Sequence, residues 1–173
     1  MDWQTHMLSG TVAGYMATGG NWKGALIGGI AGVVGNWKGA LIGGIAGVVP
    51  DLDEPKSKFG KVFVPLSLLL NQLVGHRTLT HSLVFAILAG LTLVFFFDLT
   101  VGIATTAGIL AHSIGDMLTG KVRFLYPLQI SVGMSVSSFI FMVNDRVCRV
   151  VMLLLLLFFG WRDSTTYFLS LGS

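Results

Sequence analysis

Two apolar stretches, residues 79–97 and 99–118, constrain this chain more than any other feature. Each is about 20 residues, enough at 1.5 Å per residue to cross a hydrocarbon core of roughly 30 Å. Residues 124–143 and the shorter 147–161 read as further membrane helices. Residues 62–74 are too short and contain Pro65, Asn71 and Gln72, so a re-entrant or interfacial helix is expected there. A water-soluble surface needs about 25 % charged residues, and this chain has 11 %, with 53 % hydrophobic residues and a mean hydropathy of +0.79. The expected fold is an all-α, polytopic membrane protein: one domain over 1–173 with about four to six membrane-embedded helices, some of them short.

The remaining composition excludes several classes. The net charge is +3, but no basic run is long enough for nucleic acid, and the lysines and arginines read as membrane-flanking residues. Cys148 is the one cysteine, which excludes an internal disulfide and a cysteine-based metal site. MDWQTHML at the start has an acidic residue and no basic segment, unlike a cleaved signal peptide. The expected partner is the lipid bilayer.

GNWKGALIGGIAGVV occurs twice without a difference, at 20–34 and 35–49. Two identical copies indicate a recent or engineered tandem duplication of a 15-residue segment. Each copy has glycines four apart (Gly24, Gly28, Gly32; Gly39, Gly43, Gly47), a smooth helix face that admits another helix or a second copy of the chain. The duplication poses a geometric question. With one copy, a helical hairpin brings His6 and Asp51 to the same side. A second copy in a continuous helix displaces the ends by about 22 Å and rotates them by roughly 60°.

Polar residues then cluster where an apolar chain has least reason to place them. VVPDLDEP sets Asp51 and Asp53 two apart between Pro50 and Pro55, expected as an extended segment with both carboxylates on one side. HRTLTHS places His76, Arg77 and His81 at the mouth of an apolar helix, with Thr78 or Thr80 as its cap and both imidazoles able to converge. His112 and Asp116 are four apart, on one face of a helix that Gly120 can end. His6 begins the first apolar helix. An unpaired Asp at mid-membrane costs roughly 2.5–3.5 kcal/mol, so these groups need partners. Imidazole and carboxylate are the ligands of zinc, manganese or iron, and such a set with open positions activates water at neutral pH.

MDWQTH, PDLDEP, GHRTLTHS, AHSIGDMLT and LYP, in this order over about residues 1–128, resemble the YdjM-like membrane-associated, metal-dependent hydrolases, some of them LexA-regulated. The resemblance implies a multi-pass bacterial inner-membrane protein, all-helical, with a metal-dependent hydrolase activity. It carries the family's polar positions onto His6, Asp51, Asp53, His76, Arg77, His81, His112 and Asp116. The duplicated segment between His6 and Asp51 departs from the pattern, and no motif follows Leu128. The expected mechanism is hydrolysis of a phosphoester or lipid-like substrate with one or two divalent transition ions, zinc before manganese or iron. Metal ligands come from His6, Asp51, His76, His81, His112 and Asp116. Asp53 and Arg77 serve catalysis, Arg77 by stabilising charge on phosphoryl oxygens. The competing reading is a non-enzymatic metal-binding or metal-transporting membrane protein. A metal-free lipid phosphatase is disfavoured, because the chain has no Arg-Pro pair and no Ser-Gly-His.

Overall fold

Asp2 starts the first helix: its backbone is extended and its carboxylate accepts the Trp3 N–H at 2.8 Å. Helix α1 (Trp3–Ala17) presents Gly10 and Gly14 on one face. The computed structural model describes residues 1–19 and 36–171, so the first repeat copy, 20–34, lies outside the described residues. The second copy forms α2 (Trp37–Ala46), with Asn36 as its cap accepting the Lys38 N–H at 2.9 Å. Gly39, Gly43 and Gly47 meet Gly10 and Gly14 of α1 so closely that a methyl group at Gly14 or Gly43 would collide with the opposing main chain. Gly108, on the helix Leu99–Met117, closes on the Gly43 carbonyl in the same way. Three backbones therefore meet at Gly43, the packing that small residues permit.

The other elements follow from that junction. A 3-10 turn, Pro50–Asp53, leads to α3 (Lys58–Val62) and α4 (Val64–Val74). A second 3-10 turn, Leu79–His81, precedes α5 (Leu83–Phe96), which pairs with α6 (Leu99–Met117). The long α7 (Ser138–Leu171) lies along α1. It is held at two polar points about 20 Å apart by helix rise. At one, Arg149 bonds Asp2 at 3.0 Å, Gln4 at 2.9 Å and Asp145 at 2.8 Å. At the other, Asp163 accepts from Tyr15 at 2.6 Å and from the Trp37 indole at 3.0 Å. The described residues are all-helical, apart from an isolated bridge between Val122 and Val132.

The expected spans need correction. Among the described residues no helix is long and apolar enough to cross a membrane. Residues 79–97 open with a 3-10 turn and leave a 14-residue helix, about 21 Å long. Residues 99–118 do form a 19-residue helix, but His112, Ser113 and Asp116 on it are buried against other elements. Residues 124–137 are turns and irregular chain, with helix starting at Ser138. The 147–161 stretch is the middle of α7, flanked by Asp145, Arg146, Arg162 and Asp163. Residues 62–74 are closer to expectation: Phe63 breaks the helix, and Pro65 sits in the first turn of α4. Large apolar side chains nevertheless cover the outside, including Phe95 at 83 % exposure. So much apolar surface marks contact with lipid or protein rather than water.

Candidate metal centre

α1, the Pro50–Asp53 turn, the Leu79–His81 turn and the last turns of α6 converge at one end of the bundle. They bring together all eight polar residues singled out in the sequence. His6 and Asp51 do come to the same side, because the second repeat copy packs on α1 directly and leads straight into Pro50. His81, His112 and Asp116 form one ligand group, His6, Asp51 and His112 a second, and Asp53, His76 and His81 a third, each with ligand atoms within 4.8 Å of one another.

The innermost group has metal-like dimensions. The Nε2 atoms of His81 and His112 lie 3.1 Å apart, and they lie 3.4 and 3.9 Å from Asp116 Oδ2. Zinc bound at 2.0–2.1 Å in a tetrahedron separates its ligands by about 3.3–3.4 Å. The outer nitrogens of both rings are already committed. His112 Nδ1 lies 2.8 Å from the Gly47 carbonyl, which can only accept, so the proton sits on Nδ1 and Nε2 bears a lone pair. His81 Nδ1 faces the Asp53 carboxylate at 3.2 Å, which favours the same tautomer. Two lone pairs pointed at each other at 3.1 Å repel unless a cation or a proton lies between them.

Asp53 is the organising group. Fully buried, it accepts from the Arg77 N–H at 3.1 Å and the Thr80 hydroxyl at 2.5 Å on one oxygen, and faces His76 Nδ1 at 2.6 Å with the other. The expected extended segment with parallel carboxylates is replaced by a 3-10 turn, since a proline in the first turn favours helical φ. Asp51 therefore turns towards His112, at 3.8 Å, while Asp53 turns towards His76 and His81. Ser82, rather than Thr78 or Thr80, caps α5 by accepting the Phe85 N–H at 3.1 Å. This releases Thr80 for Asp53 and sets His81 in the preceding turn. Arg77 adopts φ +60 after Gly75 at φ +77, a left-handed pair that folds the loop back on Asp53. Its guanidinium fills the space left by Gly120, with Nε 2.9 Å from Asp116 Oδ2 but not directed at it, a charge contact rather than a hydrogen bond.

His6 stacks on His112 with ring centroids 3.7 Å apart. Its Nε2 is 3.1 Å from Asp116 Oδ1, yet both of its buried nitrogens lack a directed hydrogen bond. Such orphaned buried nitrogens are rare, and an absent ion is one explanation. The Met1 amine also reaches Asp116 Oδ1, at 2.7 Å.

The electrostatics favour a cation among these groups. Burial opposes ionisation of Asp116, but His6 and His81 hold its carboxyl well below the ordinary value. Burial raises Asp51, while His6 partly offsets it. Burial also works against a charged His81, yet contacts from Asp116 and Asp53 raise it to about 9. His112 moves the opposite way, well below its usual value, through burial and the neighbouring His6 and His81. A proton on His81 Nε2 pointed at the His112 Nε2 lone pair satisfies the 3.1 Å contact, and a divalent cation would take the place of that proton.

A cavity of about 370 Å³ opens onto this cluster, lined by Asp51, His76, Arg77, Asp116, Lys56 and Lys58 among others. The two lysines and the Gly47 carbonyl were not singled out in the sequence, and Thr80 was read there as a helix cap rather than as a partner of Asp53. Thr80 lies inside the HRTLTHS motif and was legible there as a hydroxyl between two histidines. The Gly47 carbonyl leaves no sequence signal.

A family model described as YdjM inner membrane protein matches residues 1–171. An uncharacterized protein of Bacillus subtilis (strain 168), YvsG, is 34 % identical over 86 residues, covering 49 % of this chain and 54 % of YvsG. The chain thus spans about half the length of this curated relative. No solved structure matches.

Proposed function

Since the chain belongs to the YdjM inner membrane protein family, and its histidines and aspartates converge on one polar cavity, we propose that it is a membrane-bound, metal-dependent hydrolase of a phosphoester or lipid-like substrate. The observation that carries this reading is the pair of Nε2 atoms of His81 and His112, 3.1 Å apart beside Asp116, with both outer nitrogens already engaged. His81, His112 and Asp116 would hold the first ion, and His6 and Asp51 border room for a second. A divalent transition ion, zinc before manganese or iron, would supply Lewis acidity there and lower the pKa of water.

The chain's own residues do the rest. Asp53 fixes the tautomer and orientation of His81 and anchors His76. Arg77, held over Gly120, directs positive charge to the cavity wall, where negative charge develops on phosphoryl oxygens. Lys56 and Lys58 make the rim attractive to an anion. The buried backs of His6 and His112 keep bulk water from the inner face of the site.

The test is elemental analysis of detergent-purified protein, together with phosphoester hydrolysis before and after chelation. One or two equivalents of a transition metal are expected, lost in His81→Ala and Asp116→Ala, with hydrolysis abolished by chelator and restored by zinc or manganese. Hydrolysis undiminished in chelator would overturn the reading. Bound metal with no hydrolysis of any phosphoester would favour the non-enzymatic metal-binding alternative.

A further inference from the structure

α3 and α4 expose an apolar face beside the mouth of the cavity. Val62, Phe63, Leu69 and Leu73 are 52–71 % exposed, and Ser67 is the one buried residue of α4. Water is a poor environment for this face. The helix is also too short to cross a membrane: its 11 residues rise about 16 Å, roughly half a hydrocarbon core. A segment too apolar for water and too short to span fits the boundary between headgroups and acyl chains.

Lysines outnumber acidic residues three to one on α3, α4 and the segment before them, although Asp2, Asp51, Glu54 and Asp116 also line the cavity. Lys56, Lys58 and Lys61 are exposed, and Glu54 is the one acidic residue between 54 and 74. Clustered lysines beside an apolar helix face complement an anionic lipid surface. Lys56 and Lys58 also line the cavity with His76, Arg77 and Asp116. Apolar anchor, cationic rim and cavity mouth therefore share one side of the molecule. The inner side of α4 touches the site itself: the Asn71 side-chain amide donates to the Asp53 carbonyl at 2.9 Å.

We propose that α3 and α4 seat in a layer of anionic lipid headgroups, apolar side chains among the upper acyl carbons and lysines among the phosphates. The cavity then opens onto the headgroup layer, and, resting on the hydrolase reading, its substrate is the phosphate-bearing headgroup of a lipid in that layer. Asn71 couples the seated helix to Asp53, so lipid contact steadies the residue that orients His81.

Cys148 is the one cysteine, so Cys148→Ser with Leu69→Cys or Leu73→Cys gives single sites for an environment-sensitive fluorophore. The full-length protein is reconstituted in phosphatidylcholine vesicles with and without phosphatidylglycerol, containing lipids brominated near the headgroup or near the chain end. Metal content is measured on the same samples. Expected are blue-shifted emission, quenching by shallow bromines in preference to deep ones, and stronger shallow quenching with phosphatidylglycerol. That last difference should disappear in Lys56→Glu/Lys58→Glu/Lys61→Glu. Water-like emission would overturn the proposal, and so would stronger quenching by deep bromines. A blue shift without lipid quenching would put a protein on this face and overturn it as well. Equal quenching with and without phosphatidylglycerol would overturn the anionic-lipid assignment. Because the depth readout does not require metal, a metal-free but correctly seated protein would refute the hydrolase reading alone.

Discussion

Replacing Asp53 with asparagine tests the orienting role most directly. The carboxylate serves two sides: Oδ1 faces His76, while Oδ2 receives the Arg77 N–H and the Thr80 hydroxyl and lies 3.2 Å from His81 Nδ1, which also meets Thr80 Oγ1 at 3.0 Å. Asparagine keeps one acceptor oxygen. Turned so that the oxygen stays with the two donors, it presents its NH₂ to His76, which must then switch tautomer. His81 keeps a hydrogen-bond partner but loses the negative charge that strengthens its imidazole as a ligand. Loss of such an outer partner lowers metal affinity by about 10–100-fold, or roughly 1.4–2.7 kcal/mol. Competition against a chromophoric chelator, with metal stoichiometry measured in parallel, gives both affinity and site number. Asp53→Asn should bind the same number of ions more weakly. Asp53→Ala should be worse and also unfold at lower temperature, since it strands buried donors at about 1–3 kcal/mol each. Affinity unchanged in Asp53→Asn would refute the orienting role. Complete loss of metal, as expected for Asp116→Ala, would refute it in the other direction by making Asp53 a direct ligand.

Deleting residues 20–34 should leave metal stoichiometry and thermal midpoint unchanged, because the second copy packs on α1 and leads into Pro50; a metal-free deletion variant would contradict this. Gly43→Ala should lower the thermal midpoint, since overpacking costs about 1–3 kcal/mol, and should weaken metal binding by separating α1 from α6; thermal denaturation with and without zinc measures both. Asp163 predicts a pH effect away from the metal centre. Burial opposes its ionisation, but hydrogen bonds from Tyr15 and Arg162 hold its pKa below the usual 3.8. A carboxyl with a lowered folded-state pKa stabilises the protein above its unfolded value, and that contribution is lost as pH falls through the folded value. The stability difference between the chain and Asp163→Asn should therefore be full near neutrality and vanish in acid, which denaturation across pH checks.

The candidate site was legible in the sequence because its residues are expensive where they stand. Histidine and aspartate within apolar segments need partners, and the helical spacing of His112 and Asp116 already put them on one face. The orientation of the acidic pair was not legible. Whether Pro50 begins an extended strand or a helical turn depends on how α2 delivers the chain, and the turn is what parts Asp51 from Asp53. The role of Thr80 was hidden by a local competition: Ser82 took the cap and freed the threonine. The spans were misread because hydropathy records apolar content and not where a helix stops. The 3-10 turn at Leu79–His81, a break at Phe63 and the irregular chain before Ser138 lie inside otherwise apolar sequence. All-helical architecture survived that error, since most of those apolar stretches are helical even where they are interrupted.

The order of attachment at the second repeat copy has a consequence for how the gene can change. His6 is fixed by α1 and Asp51 by the residues directly after α2, and the two are joined by glycine contacts across the helix pair rather than by the length of chain between them. The ligand positions are thus set by the helix contact. The same fifteen residues placed after Val49 would separate Asp51 and Asp53 from the helix that delivers them, so a reporter peptide or an affinity tag does not belong there.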